Sequence, residues 1–170
     1  PKGDPEAPLK ALVFDAHFDK FRGVILQVRV MEGTLKPRDV IHFMHAGQDY
    51  KVDELGYNQF KLVPKQTLSA GEVGYIVAGV KSVQDIEIGD TLTLLDRPAA
   101  EPIPGYQPAR QVVFSSVYPM SSDEYPDLTK ALEKLAINDA ALTFEKDSSA
   151  ALGFGFRCGF LGLLHLDVIQ

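Results

Sequence analysis

Short apolar runs separated by turn-forming residues mark positions 9–95, and a 3.6-residue rhythm enters only after residue 110. LKALVFDAHFD predicts a first strand. In RGVILQVRVMEG, Val24, Leu26, Val28 and Val30 share one face, while Ile25, Gln27, Arg29 and Met31 share the other. An apolar face opposite a mixed one predicts a half-buried antiparallel strand, ended by a turn at Glu32 and Gly33. Lys36, Pro37, Arg38 and Asp39 form the next turn, VIHFM a strand, and AGQD another turn; YKVDELGYNQ, VGYIVAG and GDTLTLL continue the series. Strands at such close spacing predict an all-β sandwich or barrel. A closed barrel is the expected solution, because closure removes exposed edges.

Beyond residue 110 the pattern changes. RQVVFSSVYPM predicts a strand ended by Pro119, and SSDEYPDLTKALEKLAIND a helix striped by Tyr125, Leu128, Leu132 and Leu135. Ser122 or Asp123 is the expected cap, Pro126 falls in the first turn, and Asn138 is the stop. ALTFEKDSS turns Leu142 and Phe144 inward, and ALGFGFRC turns Leu152, Phe154 and Phe156 inward; Leu161 and Leu164 are expected to fill the core with them, and the glycines to permit close packing where this strand turns into a helix. Strand, helix, hairpin, helix matches a truncated α/β ferredoxin-like (βαββα) sandwich, with its last strand expected beyond Gln170. Two proline-rich stretches flank the barrel: PKGDPEAP (1–8), with three prolines, and DRPAAEPIPGYQPA (96–109), with four. Both read as linkers, the first leading in from an upstream domain.

Charge narrows the partners. The net charge of −6 divides as 11 Lys and Arg against 13 Asp and Glu in residues 1–95, and 6 against 10 afterwards. Neither half is a general polyanion binder, so any nucleic-acid contact must come from local clusters within a larger assembly. One cysteine excludes an internal disulfide framework and fits a reducing compartment. The start shows no basic and apolar leader, and LDVIQ stops inside an apolar pattern, so a fragment is expected.

The stretch LGFGFRCGFLGLLHLD, residues 152–167, invites several chemistries. A membrane helix would bury Arg157 at a cost of roughly 2.5 to 3.5 kcal/mol, with Asp167 adding more. A dinucleotide turn needs G-x-G-x-x-G, whereas Gly153, Gly155 and Gly159 give one residue too many, and no Walker loop exists anywhere. Cys158 and His165 suggest a nucleophile and base, against which stands an inert buried thiol. His42 and His45 in a strand would face opposite sides, and His17 is isolated, so no metal is expected. At the mouth of the second strand Lys20, Arg22 and Gly23 form a basic loop able to grip phosphate or simply to be solvated. Lys61, Lys65 and Lys81 read similarly.

The run from Asp19 through Arg22 and Gly23 to Val30, then Gly33, Leu35, Asp39, Gly71 to Gly74, Gly89, Asp90 and Thr91, resembles the second-domain β-barrel of translational GTPases. SSDEYPDLTKALEKLAINDAALTFEKDSSAALGFGFRCGFLGLLHLDVIQ is similar to the third domain of the elongation factor 4 (LepA) family. FLGLLHLD, with Leu163 where elongation factor G has glutamate, points to the same family. The resemblance implies a non-catalytic, ribosome-binding fragment whose parent acts in back-translocation, fidelity or assembly. It implies GTP and Mg in a missing upstream domain, none in this fragment, and hence no enzyme activity here. Expected partners are the ribosome, small-subunit rRNA and ribosomal protein, a tRNA-bearing complex and the upstream GTPase domain in cis. A cytoplasmic monomer is implied, with no stable membrane insertion, peripheral membrane association of the parent and an organellar source remaining open. Lys20, Arg22 and Gly23 become rRNA contacts, and Arg157 either a ribosome contact or the partner of a carboxylate such as Asp167. An autonomous protein- or small-ligand-binding module is the alternative function, and a thiol enzyme built on Cys158 a further one.

Overall fold

The computed structural model describes residues 3–107, 110–139 and 141–169; the expected linker ends at 1–2 and 108–109, and Gln170, lie outside them. Two units, 1–108 and 109–170, divide the chain. In the first, ten strands form: β1 (Lys10–Asp19), β2 (Gly23–Glu32), β3 (Thr34–Leu35), β4 (Val40–Phe43), β5 (Asp49–Lys51), β6 (Glu54–Asn58), β7 (Leu62–Pro64), β8 (Leu68–Ser69), β9 (Val73–Val77) and β10 (Thr91–Leu94). An eight-stranded antiparallel sheet runs β5-β4-β10-β1-β2-β9-β6-β7, and β3 pairs with β8 apart from it. Hydrogen-bonded closure is not made among the described residues, because β5 and β7 remain as edges. Both are three residues long, and β7 ends at Pro64, which has no N–H to extend a ladder.

The predicted inner face of β2 is buried as expected, with Val24, Leu26, Val28 and Val30 at 0% exposure. Ala11, Val13, Ile41, Phe43, Leu55, Ile76 and Leu92 bury against the same interior. At about 1.5 to 3 kcal/mol for each large apolar side chain, this burial dominates the unit's stability. The outer face of β2 departs from a half-buried strand. Ile25 packs with Tyr75, Val77 and Leu62, and Gln27 is buried as well, so only the Arg29–Met31 end faces solvent. A central strand flanked by β1 and β9 borrows its outer cover from its neighbours' large side chains.

Both proline-rich stretches lie against this unit. Asp4 C=O accepts from Gly33 N–H at 2.8 Å, and Thr34 Oγ1 donates to Pro5 C=O at 3.1 Å. Downstream of β10, the buried Thr93 and Thr91 hydroxyls accept from Ala99 N–H at 2.8 Å and Ile103 N–H at 2.9 Å. Tyr106 stacks on His45, with ring centroids 3.9 Å apart, and its hydroxyl donates to Glu87. Residues 96–107 are thus strapped down rather than free.

The second unit contains β11 (Val113–Val117), α1 (Tyr125–Asn138), β12 (Thr143–Ser149), β13 (Gly153–Phe160) and α2 (Leu163–Ile169). Its antiparallel sheet runs β11-β13-β12. A 3₁₀ turn at Ser122–Glu124 precedes α1, and the expected cap moves to Ser121, whose N–H donates to Glu124 Oε2 at 3.3 Å while Glu124 N–H donates to its C=O at 3.0 Å. The core consists of Leu132, Leu142, Phe156, Cys158 and Phe160, with Tyr125 and Leu128 packed on it.

Several expected core positions are corrected. Leu135 is exposed and Ala136 buried in its place, since a 3.6-residue repeat running 125, 128, 132 reaches 136 rather than 135. Leu152 lies in the turn before β13, and Phe154 at the strand's start is 72% exposed. Leu161 and Leu164 are exposed too, and α2 packs instead through Leu166 and Ile169. The glycines of this stretch serve strand packing, not the strand-to-helix turn: a Cβ on Gly155 would lie 2.5 Å from Val117 O, and one on Gly159 2.6 Å from Thr143 Oγ1. No helix among the described residues is long and apolar enough to cross a membrane.

Candidate functional site

The β1–β2 hairpin creates the basic loop. Asp19 Oδ1 accepts from Phe21 N–H at 2.8 Å and Arg22 N–H at 2.9 Å, closing the turn that throws Lys20, Phe21 and Arg22 into solvent. Those two N–H groups, with the Arg22 charge behind them, hold the Asp19 carboxyl below its ordinary value. Gly23 follows at φ +76°, where a side chain would be strained, and a Cβ there would sit 3.3 Å from Val80 O. Arg22 Nε lies 3.5 Å from Glu54 Oε1 at the start of β6. Glu54 Oε1 also accepts from the Tyr75 hydroxyl at 2.6 Å; burial, then this bond, pushes the Tyr75 pKa upward.

Lys20, Arg22 and Gly23 therefore come together in one loop, with Phe21 almost wholly exposed at 95% among them. An exposed aromatic ring between two cations suits a nucleic-acid surface, where bases stack and phosphates pair. Arg157 belongs to the other unit. It lies opposite Ser116 and Glu145 in the sheet, and its guanidinium carbon sits 5.2 Å from the centre of the exposed Phe114 ring. The expected pairing with Asp167 is not made: Arg157 projects from the sheet face opposite to Phe156 and Cys158, whereas α2 packs on the Phe156 face.

The thiol and histidine readings find other roles. Cys158 is fully buried, and burial pushes its thiol up, away from the thiolate form a nucleophile needs. His165 Nδ1 accepts from Leu161 N–H at 3.0 Å, and Nε2 donates to Asp139 Oδ2 at 2.7 Å. Its ring is committed to joining α2 to the α1–β12 connection. His42 Nδ1 pairs with Asp49 Oδ1 at 2.6 Å; His45, which lies past the end of β4 rather than within it, pairs with the buried Asp90 at 2.8 Å. No group of three or more metal-ligating side chains assembles among the described residues.

Residues 23–93 match the family model for elongation factor Tu domain 2, a β-barrel type that agrees with the antiparallel, strand-rich first unit. Across its whole length the chain is 86% identical to a protein named elongation factor 4 2 from Rhodopirellula baltica. The chain belongs to the elongation factor 4 family. Elongation factor 4 proteins of Syntrophus aciditrophicus and Desulfotalea psychrophila are 58% and 59% identical, again over all of this chain. In each case the chain spans 28% of the elongation factor 4 relative's length. The family match begins at Gly23, the exit of the β1–β2 loop, so Lys20 and Arg22 stand immediately before the matched region.

Sequence reasoning singled out Lys65 but missed the neighbouring cluster that it joins. Lys36, Arg38 and Lys65 line a surface cleft with Asp53 and Glu54, the same glutamate that meets Arg22. The available signal was an arginine following proline in a turn, where glycine or asparagine is the usual residue.

Proposed function

We propose that this chain is the ribosome-facing, non-catalytic stretch of a translational GTPase, and that it grips small-subunit rRNA through the β1–β2 loop. On this reading residues 9–95 are the factor's second domain. Residues 110–170 are most of a ferredoxin-like third domain, whose sheet order of first, third and second strands leaves an edge at β11 for a fourth. GTP and Mg belong to an upstream domain of the parent, and this stretch acts without chemistry of its own. The parent works in the cytoplasm as a monomer, between ribosomal subunits, in back-translocation, fidelity or assembly of ribosomes.

The observation that carries the reading is the loop itself, in a chain 86% identical to an elongation factor 4. Asp19 fixes its backbone and Gly23 its exit, while the loop holds Lys20 and Arg22 toward solvent. Arg22 keeps 42% of its side chain exposed beside Glu54; a pair this open contributes about 0 to 1 kcal/mol, so a phosphate competes for the guanidinium at little cost. Arg157, held over Phe114, offers a further contact from the third domain. Cosedimentation of the full-length factor with purified small subunits tests this: Arg22→Ala is expected to lower the bound fraction, and binding equal to wild type would refute the phosphate grip.

A further inference from the structure

Among the described residues Arg38 is the single non-glycine residue with a left-handed backbone, at φ +77°. Its turn is tied on three sides. Arg38 N–H donates to Val52 C=O at 2.8 Å, Asp39 N–H donates to Lys36 C=O at 3.3 Å, and Asp39 Oδ2 accepts from Lys36 N–H at 2.7 Å. A Cβ is disfavoured in this conformation, and glycine would fill the position without strain. An arginine held there at the expense of stability points to work for its guanidinium.

The surroundings identify the work. Arg38, Lys36 and Lys65 line an open cleft of about 690 Å³ with Asp53 and Glu54. Lys65 is steadied by the Tyr57 ring, 4.8 Å from its Nζ. Glu54 is already engaged by Arg22 and the Tyr75 hydroxyl, which leaves the cations the stronger influence. Small organic ligands favour enclosed, predominantly apolar sites, whereas charged and polar side chains outnumber Pro37, Leu55 and Pro64 in this open cleft; an extended polyanion fits such a lining. Register brings it to the Arg22 end of the sheet: Ile25 and Glu54 both lie opposite Val77, so the Arg22 loop and the start of β6 share one end.

We propose that Lys36, Arg38 and Lys65 form a second RNA phosphodiester site, continuous with the Arg22 loop, so that one RNA strand passes over both. This rests on the ribosome-binding reading above. Each phosphate neutralised adds about 0.7 to 0.9 to the salt slope, from a single strand to a duplex, which at 0.15 M salt corresponds to about four- to fivefold in affinity.

The test measures binding of the full-length factor to purified small subunits across a potassium chloride series, for wild type, Arg22→Ala, Arg38→Gly and Arg38→Asn. Both Arg38 variants tolerate positive φ and retain the turn, so either one reports if the other folds poorly. The expected result is about four- to fivefold weaker binding and a slope flatter by about 1 for each, with an unchanged or higher melting temperature, and a loss that multiplies with that of Arg22→Ala. Wild-type affinity and slope in the Arg38 variants, with Arg22→Ala weakened, would overturn the second site and leave the first reading standing. Salt-independent wild-type binding would overturn both. Poly(U) is expected to compete better than polyglutamate of equal charge; equal competition would overturn the assignment to RNA.

Discussion

The two units solve the burial problem on different scales. In the first, apolar side chains from most of its strands reach 0–1% exposure, and both proline-rich stretches are pinned across it. In the second, a core of five buried residues supports the fold, while Leu152, Phe154, Leu163, Leu164 and Val168 stay 63–78% exposed. Stability rises faster than surface as a core grows, so the first unit is a platform able to hold a strained arginine turn. The second has little to spare.

The largest expected effect tests that contrast. Phe43→Ala and Phe156→Ala each remove a fully buried ring, at about 3 to 5 kcal/mol. Native-state hydrogen exchange should show Phe156→Ala unfolding β11–β13 while protection in β1 and β2 persists. Loss of protection in both units together would erase the distinction. Phe154→Ala, at an exposed ring, should change stability by less than about 0.5 kcal/mol in denaturant titration.

Next comes the strap. The Tyr106 hydroxyl is pushed up to about 12 by its bond to Glu87, then by burial. Tyr106→Ala removes that bond and the stack on His45, about 1 to 2 kcal/mol together. Faster exchange at the Ala99 and Ile103 amides is the expected readout, with the β-sheet amides unaffected. Cys158 gives a smaller, kinetic signature. Its alkylation near neutral pH should be slow and should accelerate on unfolding; rapid modification of the native protein would revive a reactive thiol.

The smallest effect is one of pH. Asp19 is held below its ordinary value by Phe21 and Arg22 N–H, so its contribution is present above the unfolded carboxylate range and fades as pH falls through the lower folded value. Asp19→Asn should flatten the acid limb of the stability curve slightly. An identical limb would assign the loop's closure to something other than this carboxylate.

Much of the fold was legible because local pattern and burial agreed. The alternation Val24, Leu26, Val28, Val30 reports directly which side of β2 faces inward. Pattern failed where cover came from elsewhere in the chain: Ile25 and Gln27 are buried by neighbouring strands, and Phe154 lies at a strand end beyond the reach of the core. The strap looked like a tether because its anchors, Thr91 and Thr93, are ordinary strand residues until the fold brings Ile103 and Ala99 to their hydroxyls. The Arg22 loop was legible as charge beside a glycine. The Arg38 cluster was not, since Lys65 joins the Lys36–Arg38 turn only through the fold and the cluster's distinguishing mark is a backbone angle.

The central claim is that cations on a rigid barrel-type platform meet RNA phosphate. Its most direct test is the slope of log affinity against log salt for the full-length factor on purified small subunits, compared between wild type and Arg22→Ala. A slope flatter by about 1 in the variant, with an unchanged melting temperature, is the predicted result. Parallel lines would contradict the claim.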